Sequence, residues 1–277
     1  MANSGSIGAW QASANDVSLT AERVPSARCP RPARCAVRGI VFDMGDVLYD
    51  ATVGRRWLLA LLSRMGVAAS YRDFFERWER DYLVDVHRGR REYGEALEAF
   101  LRSVGLSRGQ IEEVLAASQA HRRELEAGTR PLPGVRATLE KLARRGLRLG
   151  VLTNSERSAD RIRERLAAWD MAYCFTGVVS SVDLGRCKPD ARCYQAALDQ
   201  LELSAAETAF VGHDRAELAG AAAIGMRAWA FNHERGVNAD RCLGRFCDLV
   251  HLVDESLAHA AKSTTPLRAE HARLRAA

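Results

Sequence analysis

Apolar residues follow two rhythms along this chain. Short continuous runs occur at Gly39–Phe42, Leu147–Leu152, Phe175–Ser180, Thr208–Val211 and Arg227–Phe231, each bounded by polar or turn residues. Runs of that length with no polar face predict strands buried on both sides. A last apolar run, Asp248 to Val253, precedes a short helix. Between the runs, apolar positions recur every three or four residues, the period of an amphipathic helix. Strands that alternate with helices predict an α/β fold: a Rossmann-like, doubly wound parallel sheet of about five strands.

One long stretch breaks the alternation. From Arg55 to about Gly128 the pattern is helical throughout, with Trp57, Leu58, Leu61 and Leu62 on one face and Phe74, Phe75, Trp78 and Tyr82 on another. Breaks near Gly66, Gly89, Gly105 and Gly128 divide it into four helices. The expected layout is therefore a core from residues 38–50 and 131–261, interrupted by a four-helix insert over 51–130. Pro131-Leu132-Pro133-Gly134 would form the hinge. Residues 1–37 lack periodicity and end in a Pro/Arg/Cys-rich stretch, which predicts a disordered basic arm. Residues 262–277 read as a basic tail.

Composition narrows the function classes. The 277 residues carry a formal net charge of +5. Residues 1–38 contribute +3 and residues 262–277 another +3, so the body between them is at −1. No basic face for nucleic acid is written into that body. No apolar run approaches the ~20 residues of a membrane helix, and the N-terminal stretch does not read as a secretory signal. The seven cysteines are odd in number and lack C-x-x-C spacing, which argues against a disulfide framework or a zinc ribbon and for a reducing cytoplasm. The sequence carries no signal for an oligomeric state.

In open parallel sheets, ligands bind beyond the carboxyl ends of the strands. The residues there are Asp43-Met44-Gly45-Asp46, Thr153-Asn154-Ser155, Gly212-His213-Asp214 and, after a loop, Lys188. A carboxylate, a hydroxyl, a lysine and a second acid converge on one rim. The set suits phosphoryl transfer, which needs a nucleophile, a cradle for phosphoryl oxygens, a cation and a metal ligand.

These segments resemble the four motifs of the haloacid dehalogenase-like hydrolase superfamily, in order. They are Val41-Phe42-Asp43-Met44-Gly45-Asp46-Val47-Leu48, Gly150-Val151-Leu152-Thr153-Asn154, Lys188-Pro189-Asp190, and Phe210-Val211-Gly212-His213-Asp214 continuing through Glu217 to Gly225-Met226. The helical insert is similar to the helical cap of that superfamily. The resemblance implies a Mg²⁺-dependent phosphatase that hydrolyses a small phosphorylated metabolite through an aspartyl phosphate on Asp43. Thr153 and the amide of Asn154 would hold the phosphoryl oxygens, and Lys188 would balance their charge. Mg²⁺ would be held by Asp43, the backbone carbonyl of Gly45 and an acid of the fourth motif. The alternatives are a 2-haloacid dehalogenase, in which the same aspartate attacks carbon, and a degenerate member that only binds a phosphorylated ligand or a protein.

Two departures from the motifs stand out. Gly45 occupies the position where phosphatases of the superfamily usually carry a general acid and base, with Asp46 one residue later. Such help is typically worth ~10²–10⁴-fold. His213 stands where the metal-binding acid usually lies, and imidazole is a poor ligand for a hard cation. The expectation is that Asp214 takes over, with Glu217 behind it. Arg55 and Arg56 open the insert near Asp43, either to meet substrate or as a solvated helix start. His87-Arg88-Gly89-Arg90-Arg91 reads as an exposed turn between insert helices, or as an anion site. Cys187 beside Lys188 is a reactive thiol or a small structural residue.

Overall fold

The computed structural model describes residues 35–67, 70–233 and 235–258. The expected N-terminal arm up to residue 34 and the tail over 262–277 lie outside the described residues.

Six strands form one fully parallel sheet: β1 (Gly39–Phe42), β2 (Arg148–Thr153), β3 (Gly177–Ser180), β4 (Thr208–Gly212), β5 (Arg227–Phe231) and β6 (Arg241–Leu243), in the order β3-β2-β1-β4-β5-β6. The order reverses at β1, and a ligand crevice opens at such a switch point. The sheet has one strand more than the sequence predicts. The additional strand β6 has only three residues, of which Arg241 and Cys242 are exposed, so it leaves no apolar run to read. The run from Asp248 lies within a helix over 248–258, with Leu249 and Val253 buried one turn apart.

Alternation along the strands builds two cores. Ile40 and Phe42 of β1, Leu149 and Val151 of β2, and Ala209 and Val211 of β4 face one side of the sheet. There they meet α6 (Val135–Arg144), α7 (Ala159–Ala168) and helical residues 248–258. Val41, Leu152 and Phe210 face the other side, against α9 (Ala191–Leu201) and α10 (Arg215–Ala223). A single helical turn, α8 (Ser181–Leu184), follows β3. Both faces of the central strands are dry, as a parallel sheet requires.

The insert between β1 and α6 is helical: α1 (Thr52–Arg64), α2 (Tyr71–Trp78), α3 (Val84–His87), α4 (Tyr93–Ser103) and α5 (Arg108–Gly128). α2 and α3 form one rod through a π-helical turn at Glu79–Leu83, so four rods result. They enclose a separate core of Leu58, Leu62, Phe74, Trp78, Phe100, Leu101 and Val114. Ser107 caps α5 with Gln110 in a reciprocal capping box. The two strands of chain that join insert to sheet run side by side. Tyr49 bridges Pro131, and the amide of Leu132 donates to the carbonyl of Leu48 at 2.8 Å.

Candidate active site

Asp43 ends β1, where its amide donates to the Val211 carbonyl of β4 at 2.9 Å. The carboxylate is buried. Its Oδ1 accepts from the Met44 amide at 2.8 Å and from Lys188 Nζ at 2.7 Å. Its Oδ2 lies 3.2 Å from His213 Nδ1. Burial pushes the acidity of Asp43 the other way, yet Lys188 and His213 outweigh it and hold the carboxyl well below the usual range. Asp43 is therefore an anion in the wall of the cleft, with Oδ1 held by two donors and Oδ2 beside His213.

Lys188 is fully enclosed, with its Nζ 2.7 Å from both Asp43 Oδ1 and Glu217 Oε2. Burial alone would lower its pKa, but the two carboxylates raise it, so it stays charged. Asn154 fixes this pair. Its Oδ1 accepts from the Lys188 amide at 2.8 Å, and its Nδ2 donates to Glu217 Oε1 at 3.2 Å and to the Lys188 carbonyl at 3.3 Å. Burial pushes the Glu217 carboxyl up to about 7, with Asp43 adding to the shift and Lys188 opposing it. Thr153, buried at the end of β2, lines the same cleft. Asp43, Thr153, Asn154, Lys188, His213 and Glu217 thus share one rim.

The loop after β1 explains Asp46. It adopts φ 57°, a left-handed conformation rare for a residue with a side chain. The strain is held by four contacts: its amide donates to Tyr49 O at 2.7 Å, Oδ1 accepts from the Ala51 amide at 2.8 Å, Oδ2 meets Arg55 Nη1 at 2.8 Å, and its carbonyl accepts from Asn232 Nδ2 at 3.0 Å. Asp46 fastens the turn and the first insert helix. Oδ2 also lies 3.8 Å from His213 Nε2, so the imidazole stands between Asp43 and Asp46. Burial disfavours its charge, but Asp43 prevails and raises its pKa above the ordinary histidine value.

Asp214 is the N-cap of α10, where Oδ1 accepts from the Glu217 amide at 2.9 Å. This donor set does not fit a hard divalent cation. Lys188 and His213 meet Asp43, Arg55 meets Asp46, and the helix amide meets Asp214. Among the described residues, no group of three or more His, Cys, Asp or Glu is disposed to hold a metal ion. An imidazole stands where a hard cation asks for oxygen.

The insert completes the cleft, a cavity of about 1580 Å³ lined by Trp57, Glu79, His87, Arg122 and others. Arg55 joins Asp46 to Glu79 of the π-helical turn at 3.4 Å. Arg122 of α5 pairs with Glu156 and lies 3.7 Å over the Tyr93 ring. His87 faces the cleft half-buried, and Arg90 and Arg91 are exposed. Burial pushes the Cys187 thiol up, which favours the inert reading of that residue. The sequence pattern did not single out Glu79 or Ser181. Ser181 Oγ accepts from the Ser155 amide at 2.9 Å and donates to the His87 carbonyl at 2.7 Å, tying insert to sheet. The signal for Glu79 is a slip in spacing: buried Trp78 and Leu83 are five residues apart, the step of a π turn.

A doubly wound sheet interrupted after its first strand by a helical insert, with a fixed aspartate at the switch point, defines a class of hydrolase. The chain belongs to the haloacid dehalogenase-like hydrolase family, whose profile matches residues 37–225. A phosphoglycolate phosphatase of Yersinia pseudotuberculosis is 27% identical over 229 residues, which cover 78% of this chain and 92% of that protein. The magnesium-bound HAD-hydrolase YfnB of Bacillus subtilis shares the fold with a TM-score of 0.61 at 18% identity, over 79% of this chain and 99% of its own. A 2-haloacid dehalogenase of Pseudomonas syringae pv. Tomato does so with a TM-score of 0.52 at 23% identity, over 80% and 98%. No helix among the described residues is long and apolar enough to cross a membrane.

Proposed function

We propose that this hydrolase is a phosphatase that cleaves small phosphomonoesters through a covalent intermediate on Asp43. The observation that carries the reading is the Asp43–Lys188 pair at 2.7 Å, which holds Oδ1 and keeps the carboxylate ionised. Oδ2 would attack phosphorus in line. The P–O bond to the leaving group breaks, its electron pair departs with the oxygen, and that oxygen takes up a proton. Water then attacks the aspartyl phosphate and releases inorganic phosphate, restoring the carboxylate. Lys188 counters the charge that gathers on the phosphoryl oxygens, and Thr153 with the Asn154 amide would cradle them. His213 lies beside the attacking oxygen, keeps its charge to higher pH than an ordinary histidine, and adds positive charge next to the phosphoryl group.

Magnesium is the family's usual partner in this chemistry, but the donor set here fits it poorly, so the side chains carry the argument. That same donor set favours a second reading, a dehalogenase in which Oδ2 attacks carbon and expels halide. The test is release of phosphate from an aryl phosphate against release of halide from a 2-haloacid, each with the parent and Asp43→Asn. Phosphate release that vanishes in the variant supports the phosphatase. Halide release with no phosphate release overturns it.

A further inference from the structure

We propose that Glu79 selects the leaving group, so that the enzyme favours phosphomonoesters bearing an amine over those bearing a carboxylate. The inference rests on the phosphatase reading and adds a substrate class to it.

Glu79 opens the π-helical turn of the insert, and its side chain is 29% exposed, toward the cleft that holds Asp43. A π turn rotates the residues that follow it relative to a regular helix and is frequent at functional sites. The nearest cation, Arg55, is shared. Its Nη1 lies 2.8 Å from Asp46 Oδ2 and its Nε only 3.4 Å from Glu79 Oε1. One guanidinium thus serves two carboxylates at this corner of the cleft. Of the charges that act most strongly on Glu79, His213 is already beside Asp43, and Asp46 and Asp214 are acids. Burial raises the Glu79 pKa, Asp46 and Asp214 add to the shift, and Arg55 and His213 oppose it.

A carboxylate on the leaving group would be repelled by Glu79, whereas an ammonium would share that carboxylate with Arg55. Space does not limit the choice, because the cavity of about 1580 Å³ far exceeds a phosphate and a two-carbon substituent. The relative named as a phosphoglycolate phosphatase acts on a carboxylate-bearing ester. The charges around Glu79 point this chain the other way.

The experiment compares kcat/KM for phosphoethanolamine and phosphoglycolate, two esters of similar size, in the full chain and in Glu79→Gln, with an aryl phosphate measured alongside. The parent should favour the amine by at least about tenfold, about the effect of one unscreened charge contact in a cleft. Glu79→Gln should bring the ratio toward one, mainly through KM. A parent ratio of one or below overturns the proposal without any variant, so misfolding of Glu79→Gln cannot shelter it. A ratio unchanged in a folded variant overturns it too. Failure on the aryl phosphate as well marks failure of the phosphatase reading instead.

Discussion

His213 stands with its imidazole Nδ1 3.2 Å from Asp43 Oδ2, on the side of the carboxylate left open by Lys188. Nitrogen thus occupies the place next to the nucleophile where a hard cation would need oxygen. Replacing it by a carboxylate in His213→Asp sets two carboxylates face to face, and a divalent cation would relieve their repulsion. Magnesium should then stabilise the variant more than the parent. At about 1 kcal/mol of extra binding, the melting temperature would rise by about 2–4 °C more. Thermal melts with and without Mg²⁺ read this directly. Equal shifts in both proteins would show that His213 does not set the metal response.

Asp43→Asn should remove phosphate release by at least about 10³-fold, since an amide oxygen is no nucleophile here. The fold should survive. Stranding a buried charge typically costs about 3–5 kcal/mol, but Glu217 still meets the Lys188 ammonium at 2.7 Å, so the loss should fall below that range. Steady-state assays and chemical denaturation of the same preparation separate the two effects.

The strands were legible because they are buried on both faces, which leaves runs such as Gly39–Phe42 with no polar residue. The rim was legible because those runs end in Asp43 and Thr153, and the next βα turns supply His213 and Lys188. The strand β6 was not, because two of its three residues are exposed. Nor was the orientation of Asp214. The pattern leaves Asp214 a ligand or a helix cap, and in the structure its Oδ1 caps α10 by accepting from the Glu217 amide. Glu79 was hidden by the π turn, which breaks the period on which helix reading depends. Asp46 reads from the sequence as one residue out of register with the general acid, without a fixed direction for its side chain. Its left-handed backbone turns it toward Arg55 and the Ala51 amide.

His87 gives the fold a sensitivity to acid. Burial pushes its pKa down from 6.5 to about 4, with Arg55 and Lys188 adding to the shift and Glu156 opposing it. The unfolded chain therefore binds a proton at higher pH than the folded chain does. Its contribution to stability is complete above about 6.5 and is lost as pH falls toward about 4. His87→Gln should flatten that limb of the stability profile. Urea midpoints at intervals between those two pH values measure it, and an unchanged slope would exclude His87 as the source.

Gly220 links packing to the site. A Cβ there would lie 2.8 Å from Pro189 Cβ, 2.9 Å from the Tyr194 hydroxyl and 3.1 Å from the Pro189 carbonyl. Two of these neighbours belong to the residue that follows Lys188. The third is fixed as well, because the Tyr194 hydroxyl donates to the Glu217 carbonyl at 2.7 Å. Gly220→Ala must therefore push α10 away from α9 or shift the Lys188–Pro189 segment. Overpacking of this kind typically costs about 1–3 kcal/mol. Because Lys188 touches Asp43 and Glu217 at the same time, a small shift also loosens the nucleophile. The variant should lose kcat for an aryl phosphate by about 10²-fold, the scale of a displacement of about 1 Å at a reacting group. A loss of stability with full kcat would mean that α10 moves and Lys188 does not.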